Sequence, residues 1–303
     1  MNKYLDIKPE VKEALENRRA VVALESTIIS HGMPYPENLE VAKECERIVY
    51  EAGAVPATLA ILDGRIKIGL NDEELHYLAT SKDIYKCSRR DIPYIISRGK
   101  NGAATVAATM IMADLAGIRF FATGGVGGVH RNAENTMDIS ADLTELQTTN
   151  VCVVSAGVKS ILDINLTLEY LETLGIPVVA FGQDEFPAFY TRESGFKAPL
   201  RLDTPKEIAE MMETKWALGL SGGAIVGTPI PEEHQMPRGE IDEAINTALQ
   251  NAEKKGIKGK EITPYLLDSI KEITSGRSLK ANMALVYNNA KLAADIAVEY
   301  AKI

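Results

Sequence analysis

Apolar residues fall along this chain in two rhythms. Short apolar runs closing on a small or polar residue read as buried strands, at 20–24 before Glu25, 117–123, 151–155 and 178–181. Two more β-like runs, 57–62 and 65–70, flank Asp63-Gly64, a dipeptide that favours a two-residue hairpin. Helical spacing predicts a short helix over 10–17 and a longer one over 36–52, through Leu39, Val41, Ala42, Cys45, Ile48 and Val49, with Gly53 as its stop. Further helices are expected from Asn71, whose first turn is acidic, over 102–115 and 161–174, and in a closing series at 238–255, 263–274 and 278–300.

The strand–helix–strand succession from 151 to 181 is a β-α-β unit, which requires a partly parallel sheet. Residues 182–200 read as an ordered excursion, and 219–231 as a strand wrapped in turn residues. No repeat or soft linker divides the chain, so residues 1–303 are expected to form a single α/β domain.

Net charge is −9, which argues against a nonspecific grip on nucleic acid; any phosphate must be held by a few local basic groups and backbone amides. Cys45, Cys87 and Cys152 form neither a CxxC pair nor an even disulfide framework, which fits a reducing, cytoplasmic setting. Residues 1–19 are charged throughout, unlike a signal peptide, and no apolar run reaches membrane-spanning length. The expected partner is a small molecule, with neither nucleic acid nor membrane involved.

Several stretches carry candidate chemistry. Gly124-Gly-Val-Gly-Gly128 follows a strand and precedes His130, so its amides are free to approach an anion, yet alone it equally fits a tight turn. It matches neither the dinucleotide nor the P-loop pattern. Asp138, Ser140 and Asp142 would share one side of an extended segment, as a hard-oxygen site for Mg²⁺ or Mn²⁺ or as a solvated edge strand. A lone histidine such as His130 is more often a structural hydrogen-bonder. Lys159, ahead of the expected helix at 161, sits where a helix N-terminus and apolar flanks disfavour its charge, although most lysines are solvated surface groups. Lys86 lies in a basic cluster, Tyr85-Lys-Cys-Ser-Arg-Arg-Asp91, that also fits a helix end or a surface face. Glu25, after an apolar strand, is expected to be semi-buried, which is costly without a role.

Read in order, these pieces resemble one family. Glu25-Ser-Thr-Ile-Ile-Ser-His-Gly-Met-Pro-Tyr-Pro, Gly53-Ala-Val-Pro-Ala-Thr, Ser88-Arg-Arg-Asp, Ala122-Thr-Gly-Gly-Val-Gly-Gly-Val-His-Arg, Asp138-Ile-Ser-Ala-Asp-Leu, Ser155-Ala-Gly-Val-Lys-Ser-Ile-Leu-Asp, and Asn282 ahead of Asn288-Asn-Ala are similar to the pseudouridine-5'-phosphate glycosidase, or indigoidine synthase A, family. The resemblance implies a three-layer α/β/α sandwich around a mixed, partly parallel sheet, a homotrimer, and a Mn²⁺ cofactor, with Mg²⁺ as its substitute. It implies cleavage of pseudouridine 5'-phosphate to uracil and ribose 5-phosphate. Position by position, it makes Glu25 the proton donor, Lys159 the nucleophile and Asp138 the metal-linked carboxylate. It makes Lys86, Val106, Thr123, His130, Ser140, Ala141, Asp142 and Asn282 substrate contacts. Two other classes compete: a sugar or nucleoside kinase, which lacks its late aspartate base in Ser221-Gly-Gly-Ala-Ile-Val-Gly-Thr-Pro, and a non-catalytic nucleotide sensor.

Overall fold

The computed structural model describes residues 3–257, 259 and 262–303. Strands run in chain order as β1 (Leu5–Ile7), β2 (Val21–Leu24), β3 (Val55–Leu62), β4 (Arg65–Ile68), β5 (Tyr85–Cys87), β6 (Gly102–Ala104), β7 (Phe120–Ala122), β8 (Val129–His130), β9 (Cys152–Ser155), β10 (Leu162–Asp163), β11 (Val178–Phe181), β12 (Leu200–Leu202) and β13 (Ala224–Gly227). The helices are α1 (Pro9–Glu16), α2 (Glu37–Glu51), α3 (Asp72–Thr80), α4 (Ile92–Ser97), α5 (Val106–Ala116), α6 (Ala133–Thr136), α7 (Ala141–Thr148), α8 (Ile164–Thr173), α9 (Pro205–Ala217), α10 (Arg238–Lys254), α11 (Ile262–Ile273) and α12 (Arg277–Tyr300).

One mixed sheet runs β1-β4-β3-β2-β7-β9-β13-β11-β12, with β5 and β6 branching from β3. From β3 to β12 all pairs along this path are parallel, whereas β3 with β4 and β3 with β6 are antiparallel. Strands buried on both faces need apolar side chains at every position, and β2, β7, β9 and β13 have them without alternation. Helices cover both faces as a three-layer α/β/α sandwich, with α12 packed on α2, α9 and the central strands and α5 packed on α7. The β3–β4 connection is a hairpin in which Asp63 and Gly64 both adopt positive φ, 48° and 70°, as a type I′ turn requires.

Three expectations need correction. Residues 102–104 are strand β6, because the backbone there pairs with β3 and β5; the helix begins at Val106, capped by Thr105. The stretch from Asp138 to Asp142 is extended only through Ser140, with Ile139 bridged to Val129; Ser140 then caps α7 by accepting the Asp142 N–H at 3.2 Å, so Ala141 and Asp142 form its first turn. Helix α8 starts at Ile164, where Asp163 caps it, and Leu162–Asp163 pairs with β8 instead. Lys159 therefore lies in a loop five residues before the helix. Strands β9 and β11 are parallel as expected, but β13 is inserted between them.

Asp142 fastens the part of the fold that carries the loops. Its carboxylate, 6 % exposed, accepts the Ala107 N–H at 2.9 Å and the Gly127 N–H at 2.8 Å, joining α7, the first turn of α5 and the glycine loop. A buried carboxylate is tolerable when charge-assisted hydrogen bonds replace its hydration. Asp142→Asn keeps the shape but turns an amide N–H₂ toward one of these N–H donors. It should lower stability by about 1–3 kcal/mol, the cost of a buried unsatisfied donor, seen as a lower melting temperature with an unchanged far-ultraviolet spectrum; an unaltered melting curve would show that the clamp does not hold these elements.

Candidate active site

In open α/β sheets, function gathers beyond the carboxyl ends of parallel strands, where the chain leaves the sheet and its backbone is free to face a ligand. Here β2 delivers Glu25, β7 delivers Thr123 and the glycine loop, and β9 delivers Ser155 and then Lys159. These three strands are neighbours in register, Leu24 opposite Ala122 and Ala122 opposite Val154. Their exits converge on a cleft of about 690 Å³, within the range expected of a small-molecule site.

The glycine loop lies as close to the lysine loop as backbone can. Val126 donates to the Gly157 carbonyl and Lys159 donates to the Val126 carbonyl, both at 3.0 Å. A Cβ on Gly125 would stand 2.6 Å from the Phe189 ring and 3.3 Å from Lys159 Cγ, and one on Gly127 would stand 2.6 Å from Asp142 Oδ2. Side chains at these positions would push Lys159 and α7 outward.

The cleft is lined by Glu25, Lys86, Val106, His130, Asp138, Ser140, Ala141, Asp142 and Lys159, so most residues singled out in the sequence do meet. Thr123 and Asn282 do not line it. Thr123 is buried behind Glu25 and donates its hydroxyl to that carboxyl. Asn282 borders a second cavity, of about 430 Å³, with Tyr190 and Tyr265, and its Oδ1 is buried with no hydrogen-bond partner among the described residues. Asn289 of α12 holds the same junction, donating to the Thr123 carbonyl at 2.8 Å and the Gly124 carbonyl at 3.3 Å.

Burial raises the Glu25 carboxyl above its ordinary value of 4.5; the Lys159 charge is the foremost opposing influence, followed by the Thr123 hydrogen bond, while Asp142 adds to the rise and Lys86 subtracts. A carboxyl group whose neutral form is favoured by burial thus faces the same cleft as the Lys159 amine. His130 is held below its ordinary 6.5, by burial first and by Lys159, against the pull of Asp138. Its Nδ1 stands 4.0 Å from Asp138 Oδ2.

The donor set suits a hard cation held mostly through water. Among the described residues no group of three His, Cys, Asp or Glu converges on a point. Of the cleft carboxyl groups, Asp142 is used by two backbone amides and Glu25 accepts the Thr123 hydroxyl, whereas the Asp138 side chain is 44 % exposed. Mg²⁺ and Mn²⁺ fit one carboxylate combined with waters and a ligand phosphate; a structural zinc site does not.

Two further basic residues line the cleft, Arg89 and Arg90, which the sequence marks only as part of the Ser88-Arg-Arg-Asp91 motif and not as site residues. Arg89 reaches across to α7 and binds the buried Glu145 at 2.7 and 3.0 Å, while Arg90 lines the cleft itself. The signal that distinguishes them is the spacing of Glu145 and Asp142 on one face of α7, visible only once 141–148 is read as helix.

The comparisons agree with this geometry. A relative from Petrotoga mobilis, a pseudouridine-5'-phosphate glycosidase by name, is 60% identical over 297 residues, covering 98% of this chain and 97% of its own. A protein of the same name from Clostridium botulinum is 60% identical over 304 residues, covering 100% and 99%. Among solved structures, the prealnumycin C-glycosynthase AlnA in complex with ribulose 5-phosphate superposes with a TM-score of 0.92 at 37% identity over 100% of this chain and 98% of that one. An indigoidine synthase A-like protein from Thermotoga maritima follows at 0.90 and 37%, covering 99% and 98%. Residues 10–299 match the family described as indigoidine synthase A like protein, and the chain belongs to that family.

Proposed function

We propose that this chain cleaves the C–C glycosidic bond of pseudouridine 5'-phosphate reversibly, giving uracil and ribose 5-phosphate through a covalent intermediate on Lys159. The observation that carries the reading is the meeting of Lys159 and a buried Glu25, whose carboxyl burial pushes upward, in one cleft, together with full-length relatives of that name at 60% identity.

A C-glycoside has no heteroatom leaving group, so protonating an exocyclic oxygen does not release the base. An amine supplies the missing electron push. The Lys159 amine, once its proton has left, forms a bond to C1' as the C1'–O4' bond breaks, and a proton from Glu25 goes to O4'. The carboxylate left behind takes a proton from the new ammonium and passes it to uracil C5. The nitrogen lone pair then expels uracil, leaving a lysine iminium that water hydrolyses to ribose 5-phosphate and the free amine. Thr123, donating to Glu25, orients the acid, and His130 and Ser140 bound the sugar-phosphate side.

Asp138 is the residue that would hold Mn²⁺ or Mg²⁺, with water completing its shell. The cation supplies positive charge for the phosphate end of the ligand. Lys86, Val106, Ala141 and the amides at the starts of α5 and α7 complete the phosphate and ribose contacts in this reading, with Asp142 acting through its clamp. Asn282 is assigned to the base side in this reading, next to Gly124, where a Cβ would come within 3.4 Å of Asn282 Oδ1, and Thr123 acts through Glu25. A homotrimer in the cytoplasm is part of the same proposal. Among the described residues no helix is long and apolar enough to cross a membrane.

Incubation with pseudouridine 5'-phosphate and Mn²⁺ should release uracil, and Lys159→Ala should abolish that release while ligand still binds; residual turnover at the parent rate removes the covalent step. Borohydride added with ribose 5-phosphate should reduce the iminium and mark Lys159 in a peptide map, and a mark on another lysine reassigns the nucleophile. Chelation of divalent cations should stop uracil release, with recovery on adding Mn²⁺, and unchanged activity in chelator removes the cation from the reading.

Glu25 also carries a stability signature. Its folded-state value is raised, so in the window above 4.5 the folded chain keeps a proton that the unfolded chain gives up, and stability falls as pH climbs to the folded value. Glu25→Gln escapes this loss. The inactive variant should melt above the parent at pH 7–8 and level with it below pH 4.5; a parent-like melt at both pH values means that the acid is not strained by burial.

A further inference from the structure

The proposed reaction leaves the Asn288-Asn289 pair of α12 without a task. Asn289 is wholly buried, and its Nδ2 donates to the Thr123 carbonyl at 2.8 Å and the Gly124 carbonyl at 3.3 Å. Carbonyl oxygens only accept, so the amide can face these two in one orientation. Its Oδ1 is then left with no hydrogen-bond partner among the described residues. An apolar side chain of the same shape would avoid that orphaned acceptor, so the position keeps an amide at a cost, for what its donors do.

Those donors act where β7 ends and the glycine loop begins. Thr123 is held at three points: its N–H donates to the Val154 carbonyl at 3.0 Å, its carbonyl accepts from Asn289, and its hydroxyl donates to Glu25. The Gly124 carbonyl also accepts the Ala156 N–H at 3.0 Å, which ties the same joint to the lysine loop. Helix α12 lies hard against it, since a Cβ on Gly124 would stand 3.1 Å from Val286 Cγ2. With N–H and carbonyl both fixed, the Thr123 backbone cannot turn its hydroxyl away from the carboxyl.

We infer that Asn289 is a positioning residue for the acid, acting through Thr123, whose hydroxyl it aims at Glu25. The inference rests on the proposed function in calling Glu25 the acid, and deepens it. Lys159, Asp142 and Lys86 also act on the Glu25 carboxyl. Arg90, His130 and Asp138 line the same cleft, with Arg89 drawn off to Glu145, and Cys45 borders the small cavity behind. None of these lies on α12, so replacing Asn289 reaches Glu25 by way of the Thr123 joint. The Thr123 hydroxyl favours the charged form of Glu25, so losing its aim raises that carboxyl further.

The test reads the acid without turnover. Glu25 is titrated through the carbon-13 carboxyl resonance of glutamate-labelled protein, assigned by its loss in Glu25→Gln. In Asn289→Leu the midpoint should move to higher pH than in the parent, as it should in Thr123→Val. In the double variant, the Asn289 replacement should add nothing to the Thr123→Val shift, because both act through one hydrogen bond. Asn288→Leu is the control: Asn288 donates to the Pro229 carbonyl at 3.1 Å from the same helix, so its loss should lower the melting temperature and leave the Glu25 midpoint in place. A parent-like midpoint in folded Asn289→Leu overturns the assignment, as does a shift that persists in the Thr123→Val background. Should Asn289→Leu not fold, Asn289→Ala carries the same titration, and loss of the fold in both makes the residue structural and overturns the assignment. With pseudouridine 5'-phosphate and Mn²⁺, Asn289→Leu should lower kcat about 10–100-fold, the order expected when a catalytic group is slightly misplaced, with KM near the parent value. A raised KM at parent kcat counts against a positioning role. Failure of the parent to release uracil refutes the proposed reaction, and the titration still decides whether Asn289 aims Thr123.

Discussion

Everything at this site depends on how closely two backbones approach each other. The glycine loop and the lysine loop exchange hydrogen bonds through Val126, Gly157 and Lys159, and that contact leaves no room for side chains at Gly125 or Gly127. The approach places the Lys159 stem against bare backbone and lets the Asp142 carboxylate reach a loop amide directly. A glycine run costs conformational entropy on folding. Here that cost is offset by a loop held through hydrogen bonds on two sides, which turns a flexible sequence into a fixed wall.

Electrostatics then divides the labour inside the wall. Burial favours the neutral form of any ionisable group, and specific partners decide which groups resist it. Asp142 meets two N–H donors, whereas Glu25 meets one hydroxyl and a lysine charge and still keeps a raised value. The two carboxyl groups thus serve different purposes, one as a structural anion and the other as an acid. Their roles follow from the number and type of donors, as in other enzymes that set two carboxyl groups apart by environment.

Much of this was legible in the sequence because the signals were strong and local. Apolar runs without alternation marked β2, β7 and β9, and their polar ends marked Glu25 and the glycine loop, since a strand buried on both faces has few other ways to be written. The hairpin at Asp63-Gly64 was fixed by φ alone. What escaped depended on distant partners. Residues 102–104 look helical beside the alanines that follow, and only the open edges of β3 and β5 make them a strand. The alternation in 138–142 resembles a strand until Ser140 is seen capping a helix. That misreading hid Glu145, and with it the reason that Arg89 and Arg90, adjacent in sequence, have different tasks. Thr123 was legible as part of the site but not as a group behind the acid, since nothing local says which way a residue at a strand end points.

The same separation of tasks explains why an acidic protein can host an anionic ligand. Solvated carboxylates spread over the surface set the net charge, but screening confines their influence to about 10 Å at ordinary salt. Within the cleft, the field is set by the few groups that water does not screen: Lys86, Arg90 and Lys159 face Asp138 and Asp142, and burial favours the neutral form of Glu25. A raised Glu25 therefore acts in two ways at once: the shift favours a proton beside Lys159 and disfavours a negative charge that would repel a phosphate ester. Burial at the end of β2 has both effects without any additional group.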